Sequence, residues 1–178
     1  MNRRNLMLGG GLLAVAGLGG CKVSASGTGA EARLAELGIV LPEAPAPIAT
    51  YVPFRRVGNL LWVAGQGPAF GTKFGQGKLG LDLTVEQGQI AARNTGINIL
   101  AQVRAATGSL DRVRQCVKLG GFVNCTADFT DQPKVINGAS DLMVEVFGEA
   151  GKAARFAVGA NVLPFNVSVE IESVWEIV

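Results

Sequence analysis

The sequence predicts an α+β domain in which two helices pack on one face of a mainly antiparallel sheet. Five short segments have the apolar character or the alternation of β-strands, and two longer ones repeat apolar residues at helical spacing. In chain order they read β-β-α-β-α-β-β over residues 48–178, enough chain for one domain with a proper core. The second face of such a sheet needs a cover, and oligomerisation would supply one.

The first two strands are predicted to form a hairpin. In YVPFRRVGNLLWVAG (residues 51–65), short apolar runs lie on both sides of Gly58-Asn59, a turn pair that tolerates positive φ. Residues 66–80 follow, and their glycine-rich sequence without periodicity indicates a loop. This loop lacks the order G-x-x-x-x-G-K-[ST], because Leu79 follows Lys78, and phosphate binding is therefore disfavoured.

Two helices follow, separated by a valine-rich strand at residues 112–124. Thr84 and Gln87 have the spacing of a capping box at the start of the first helix. The second helix is predicted to begin at Asp131 or Thr130. The predicted buried positions are Ile90, Ile97, Leu100 and Ala101 in the first helix and Val135, Ala139, Leu142 and Val146 in the second.

The chain closes with two alternating segments in AARFAVGANVLPFNVSVEIE (residues 153–172). The turn residues Pro164-Phe165-Asn166 separate them, and the pattern predicts a pair of adjacent antiparallel strands. Arg155 shares its face of the strand with the small residues Ala157 and Gly159. A cation with open space in front of it indicates either an ordinary solvated face or a place for a small anion.

The first 47 residues have the composition of an export signal and a tether. Arg3-Arg4 precede an uncharged apolar stretch, so residues 1–20 are predicted to be a signal peptide. The small residues before Cys21 resemble a bacterial lipobox, which predicts a cell-envelope lipoprotein held to the membrane by its lipid anchor alone. The paired arginines resemble a twin-arginine signal, and ordinary Sec export is the alternative route. The alternative to a signal peptide is a short buried helix. Residues 21–47 are predicted to be a flexible tether with one short helix near residues 30–37.

Charge and residue usage exclude several classes of function. Without Arg3 and Arg4, the 16 basic residues become 14 and equal the 14 acidic ones, so the mature chain is neutral and a poor partner for nucleic acid. The absence of histidine removes Ser-His-Asp and Cys-His catalysis and histidine metal sites. On one strand, Cys116 and Cys125 would lie about 30 Å apart, so we expect two small buried residues without a disulfide.

Six short features lie along residues 48–178: ARFAV at 154–158, Leu163-Pro164, VEIE at 169–172, Tyr51 in IATYVPF, VAGQGP at 63–68 and Asn137 in VINGA. In order and spacing they resemble the RidA/YjgF family, which has an asparagine that opens the second helix at the position of Asn137.

The resemblance implies a chorismate-mutase-like fold assembled as a homotrimer, with the sheets packed inward and three sites in the clefts between subunits. It implies hydrolysis of reactive enamines and imines, such as 2-aminoacrylate and 2-iminopropionate, to 2-oxo acids and ammonia without a cofactor or metal. By position, Arg155 would hold the substrate carboxylate and Glu170 would position or activate the water, while Tyr51, Gly65 and Asn137 would line the cleft. Guanidinium suits a carboxylate because its planar fork binds both oxygens.

The sequence also departs from the family pattern. Ala157 stands where the family usually has cysteine, and Gly159 stands where a glutamate is common. We therefore expect a roomier and less polar site. These departures leave a second function open, a non-catalytic trimeric module that binds small carboxylates or other metabolites. Ribonuclease activity, a third possibility, is disfavoured by the neutral charge and the absence of histidine.

Overall fold

A computed structural model describes residues 29–178 of the chain, and the predicted signal peptide and Cys21 lie outside this range. The helices and strands are α1 Ala30–Glu36, β1 Phe54–Val57, β2 Leu60–Gln66, α2 Val85–Thr107, β3 Val113–Asn124, α3 Gln132–Phe147, β4 Ala154–Ala160 and β5 Val169–Ile177. Within the described range, no helix is both long enough and apolar enough to cross a membrane.

The five strands form a single sheet in the order β1-β2-β5-β3-β4. Three of the four strand pairs are antiparallel, and β3 and β4 are parallel. The helices α2 and α3 pack on one face, where Leu119, Ile171 and Trp175 are buried. The prediction of two helices on one face of a mainly antiparallel sheet is confirmed.

The last two strands are not neighbours, and the predicted closing hairpin is therefore wrong. β3 lies between β4 and β5, and its Leu119 pairs with Arg155 on one side and with Ser173 on the other. Alternation with period two determines which face a residue occupies, but it carries no information about the neighbouring strand. The helix α3 forms a crossover connection, and such a connection makes β4 parallel to β3.

Residues 161–168 carry the chain from β4 past the end of β3 to β5. In this connection, Phe165 and Asn166 adopt left-handed backbone conformations, each with φ of 56°. The buried Asn124 side chain at the end of β3 donates hydrogen bonds to Asn166 Oδ1 at 2.9 Å and to the Val167 carbonyl oxygen at 3.2 Å. The connection is thus anchored to the strand that it crosses.

The helix α2 begins and ends as predicted. The Thr84 hydroxyl accepts a hydrogen bond from the Gln87 amide, and the Gln87 side chain accepts one from the Thr84 amide. Gly108 ends the helix with φ of 83°, a conformation that favours glycine. All four predicted buried positions of α3 are buried. In α2, Leu100 and Ala101 are buried as predicted, and Ile97 is only half-buried. Ile90 is exposed and Ala91 is buried instead, which allows a close approach of α2 to its neighbours.

The helix α1 and the segment after it pack against the domain. Leu34 and Leu41 are buried, and Gln102 Nε2 on α2 donates a hydrogen bond to the Pro45 carbonyl oxygen at 2.6 Å. The predicted short helix is confirmed. The predicted flexible tether is wrong for residues 29–47, because two buried leucines and one hydrogen bond from the Gln102 side chain fasten a segment whose overall composition is that of a linker.

The glycine-rich loop is irregular, as predicted, and Lys78 fastens it to the sheet. Lys78 Nζ donates hydrogen bonds to Asn124 Oδ1 at 2.9 Å, to the Cys125 carbonyl oxygen at 3.3 Å and to the Asn161 carbonyl oxygen. These acceptors lie at the ends of β3 and β4. One ammonium group therefore joins the loop to two strand ends.

Both cysteines of the described chain are buried and unpaired, as predicted. Burial raises the pKa of the Cys116 thiol to about 12. A thiol with so high a pKa remains protonated at neutral pH and is a poor nucleophile. Cys116 therefore acts as a small core residue.

Candidate functional site

One group of predicted site residues meets where β4 packs against α3. Arg155 Nη1 donates hydrogen bonds to Asn137 Oδ1 at 2.8 Å and to Ser140 Oγ at 2.9 Å. The Nε and Nη2 donors of Arg155 have no partner among the described residues. We call Arg155, Asn137 and Ser140 the arginine cluster. Its guanidinium is held by one nitrogen and presents a free two-donor edge that matches a carboxylate.

The arginine cluster follows from the local structure of α3. Asn137 and Ser140 are three residues apart and therefore project from the same side of the helix. Asn137 does not open the helix as expected, because α3 begins at Gln132 and Asn137 lies in its second turn. A Cβ at Gly138 would overlap the Gln89 carbonyl oxygen on α2, so glycine is required for this close contact between the helices.

Ser140 was not predicted from the sequence. Its only sequence signal is the spacing of three residues from Asn137 on a predicted helix.

A second group of predicted residues lines a cavity of about 510 Å³. The cavity lies between the segment before β1, the end of β2 and the turn before β5, and Tyr51, Gly65 and Glu170 are among its lining residues. Glu170 is the one charged side chain among the described residues that line it. We call this cavity the glutamate pocket.

The carboxylate of Glu170 lies against the backbone of Gly65. A Cβ at Gly65 would overlap Glu170 Oε1, so the absence of a side chain makes room for the carboxylate. In residues 29–178, no side-chain donor or cation pairs with the Glu170 carboxylate. This carboxylate is therefore available to accept a hydrogen bond or a proton from a bound molecule.

The arginine cluster and the glutamate pocket belong to opposite faces of the sheet. Arg155 pairs in register with Leu119, which is buried beneath the helices. Glu170 pairs in register with Phe122, which is 38% exposed on the other face. Because directly paired residues on adjacent strands point to the same face, one protomer does not bring Arg155 and Glu170 together. The five predicted residues divide into two separate groups.

The sheet face opposite the helices carries several exposed apolar side chains beside the ion pair of Lys118 and Glu172. It carries Trp62, Phe122 and Val158, and the ring of Phe156 packs edge-on against Phe122 with centroids 5.3 Å apart. Exposed aromatic and aliphatic side chains gathered on one sheet face are typical of an interface with another protein surface.

The space expected beside Gly159 is occupied. A Cβ at Gly159 would lie 2.8 Å from Cys125 Sγ and 3.0 Å from Gln132 Nε2. The expectation of a roomier site is therefore wrong at this position, because a thiol and an amide from outside β4 fill the volume. The expectation of a less polar site stays a prediction.

Comparison with known protein families identifies the family of the chain. The model of the family described as "YjgF/chorismate_mutase-like, putative endoribonuclease" matches residues 31–175. The chain belongs to the YjgF family. The family resemblance and the chorismate-mutase-like fold predicted from the sequence are both confirmed.

Relatives of this YjgF-family chain cover most of its length. Protein TCP17 of Trypanosoma cruzi is 48% identical over 150 residues, 82% of this chain and 92% of the relative. Atu1372, a protein of unknown function from Agrobacterium tumefaciens, has 49% sequence identity to this chain. The match covers 84% of this chain and 92% of the Atu1372 chain, and its crystal structure superposes with a TM-score of 0.77. RidA from the Antarctic bacterium Psychrobacter sp. PAMC 21119 is 28% identical, covers 76% of this chain and 94% of its own, and has a TM-score of 0.52.

Proposed function

We propose that this YjgF-family protein is a deaminase that hydrolyses reactive 2-imino acids and their enamine tautomers to 2-oxo acids and ammonia. The observation that carries the proposal is the presence of two complementary groups in one chain. Arg155 has a free two-donor edge, and Glu170 has a carboxylate without a partner. The first suits the carboxylate of an imino acid, and the second suits proton transfer.

We place the active site between two subunits of a homotrimer. Arg155 and Glu170 lie on opposite faces of the sheet, so a second copy of the chain must supply one of them. Burial of the exposed apolar side chains around Phe122 favours association of the copies, since it removes apolar surface from water. A closed ring of three copies would repeat the same cleft three times.

The reaction needs only a bound water and one group that carries protons. Arg155 of one subunit holds the substrate carboxylate, and Glu170 of the next takes a proton from water as the water oxygen bonds to C2. The π electrons of the C=N bond move to nitrogen, which receives that proton and becomes the amino group of a carbinolamine. Glu170 then takes the proton of the carbinolamine hydroxyl group and passes it to the amino group. The C=O bond forms, the C–N bond breaks, and the protonated amino group leaves as ammonia.

The test measures imine loss directly. The full-length chain is incubated with 2-iminopropionate generated by an amino-acid oxidase, the remaining imine is trapped with semicarbazide, and wild type is compared with Arg155→Ala. We expect wild type to accelerate imine loss and the variant to have no effect. A wild type that is folded and inactive on several imino acids would exclude the proposal.

A second candidate function is a trimeric module that binds small carboxylates without turnover. The observation that favours it is the composition of the face around Arg155, where Ala157 and Gly159 supply no group that carries a proton. For this function we expect 2-oxo acids to raise the melting temperature of the protein while imine loss stays at its uncatalysed rate.

We also propose that the chain is exported and anchored through a lipidated Cys21. The proposal is supported by the basic start, the apolar stretch and the small residues before Cys21. Cys21→Ser should abolish lipid labelling and release the protein from the membrane fraction. Replacing Arg3 and Arg4 together with lysine distinguishes the export routes, because export that survives this change indicates the Sec route.

A further inference from the structure

We propose that the substrate of this site is a 2-imino acid with an aromatic side chain, and that its ring enters the glutamate pocket. The inference rests on the proposed function and adds the substrate class. The pocket of about 510 Å³ falls within the range of roughly 300–1,000 Å³ that is usual for pockets holding drug-sized ligands. A three-carbon imino acid would leave most of this volume empty.

The walls of the glutamate pocket are apolar. They include Pro45, Ile48, Tyr51, Phe70, Phe165 and Val167. The two amide side chains in the lining already donate to the protein itself: Gln66 Nε2 to the carbonyl oxygens of Ala64 and Gly65, and Asn98 Nδ2 to that of Gly67. The pocket therefore offers one charged end, at Glu170, and an apolar body.

Two phenylalanine rings stand in the pocket wall and remain largely exposed. Phe70 is 68% and Phe165 is 59% exposed, and their rings meet edge to face with centroids 5.5 Å apart. Exposed rings of this size carry apolar surface that a ligand can remove from water. A third aromatic ring can join such a pair by the same edge-to-face or offset geometry.

The backbone holds one of these rings in place at a conformational cost. Phe165 and Asn166 both adopt positive φ, a region that is unfavourable for a bulky side chain such as phenylalanine. Hydrogen bonds oppose this cost, from Gln76 Nε2 to the Phe165 carbonyl oxygen at 2.8 Å and from Asn124 to the Asn166 side chain. A turn that serves only as a connection has no need of phenylalanine at a left-handed position.

The charges determine which part of the substrate faces the pocket. Glu170 repels a carboxylate, so the carboxylate of the substrate belongs with Arg155 of the neighbouring subunit. The C2 atom of the substrate, which water attacks, then lies near Glu170. The remaining substituent of C2 is the side chain, and the apolar body of the glutamate pocket is the surface left for it.

The experiment compares the specificity constants of the full-length protein for imines made from phenylalanine, leucine and alanine. An added methylene in an apolar pocket discriminates by about 10–200-fold, so we expect kcat/KM for the phenylalanine imine to exceed that for the alanine imine by at least about tenfold. Phe70→Ala and Phe165→Gly should each lower this ratio several-fold. Phe165→Gly suits the left-handed backbone, so its fold is preserved, and the melting temperature verifies this for each variant.

The matched control is Leu81→Ala. Leu81 is a highly exposed apolar residue that directly follows the glycine-rich loop with Phe70, and it is not part of the pocket lining. The ratio of kcat/KM for the phenylalanine and alanine imines should therefore remain that of wild type. Equal kcat/KM for the three imines, or a ratio that neither phenylalanine variant changes, would overturn the inference and leave the deaminase proposal standing.

A binding measurement separates the two proposals if no imine is hydrolysed. Phenylpyruvate and pyruvate carry the same carboxylate and differ in the side chain. A melting temperature raised by phenylpyruvate alone, and no longer raised in Phe165→Gly, would support the ligand class while rejecting the deaminase. No increase with either compound would overturn both.

Discussion

The arginine cluster and the glutamate pocket differ in how the fold prepares them. Arg155 is oriented by the two hydrogen bonds that it donates to α3, at the edge of the face that the helices cover. Glu170 has no partner in the described chain and stands among apolar walls on the other face. In the proposed function, one group holds an anion and the other exchanges a proton. Because the two groups occupy opposite faces, the proposed site takes one group from each of two protomers.

The largest expected effect comes from removing either group, and mixing the two variants tests whether the groups act from different chains. Arg155→Ala and Glu170→Gln should each lower kcat/KM by about 100-fold or more, because one removes the carboxylate anchor and the other the proton acceptor. Unfolded together and refolded as mixed trimers in equal amounts, the two variants should recover about a quarter of wild-type activity, since one interface in four joins the two intact groups.

The control for the mixed trimers is each variant refolded alone, which should remain inactive. If Arg155 and Glu170 acted within one subunit, every subunit of the mixture would lack one of them and mixing would restore nothing. That result would contradict a site shared between subunits.

The next effect sharpens the geometry of the glutamate pocket. In Gly65→Ala the added Cβ overlaps Glu170 Oε1, so the carboxylate must move. Displacement of a reacting group by about 1 Å can cost up to roughly 100-fold, and we expect kcat to fall while the melting temperature changes little. Gly67→Ala is the matched variant, because its Cβ would meet its nearest neighbour at 3.6 Å, an ordinary contact. A larger loss for Gly67→Ala would contradict this account.

The open sheet face tests whether assembly joins the two groups. Trp62→Lys places a charge on this face away from Glu170, since Trp62 pairs in register with Val174, and we expect dissociation to monomers and a loss of activity of about tenfold or more at micromolar concentration. Light scattering gives the mass, and the same samples give the rate of imine loss. Arg114→Ala, a change at a well-exposed residue, should affect neither. A fully active monomer would show that the face is not needed for catalysis.

The smallest expected effect concerns the orientation of Arg155. Ser140→Ala removes one of its two hydrogen bonds, worth about 0.5–1.5 kcal/mol, so we expect KM to rise about two- to tenfold with kcat nearly unchanged. Ser140→Thr retains the hydroxyl and should recover most of the lost affinity. A fall in kcat at constant KM would contradict a positioning role for Ser140.

Much of the fold could be predicted because it depends on short-range chemistry. The capping box of Thr84 and Gln87 and the left-handed Gly108 determine the ends of α2 through interactions within a few residues. Alternation along β4 likewise placed Arg155 on the face opposite Phe156. The family residues could be located for the same reason, since each stands in a short recognisable segment.

The neighbours of those residues depend on long-range packing. Nothing in residues 153–172 indicates that β3 lies between β4 and β5, because strand order depends on where α3 returns the chain. Leu34 and Leu41 look like linker residues until a distant surface covers them. Thus the sequence by itself determined the elements, their faces and the candidate residues. Only the tertiary structure decided that Arg155 and Glu170 lie apart, because strand pairing joins segments that are remote along the chain.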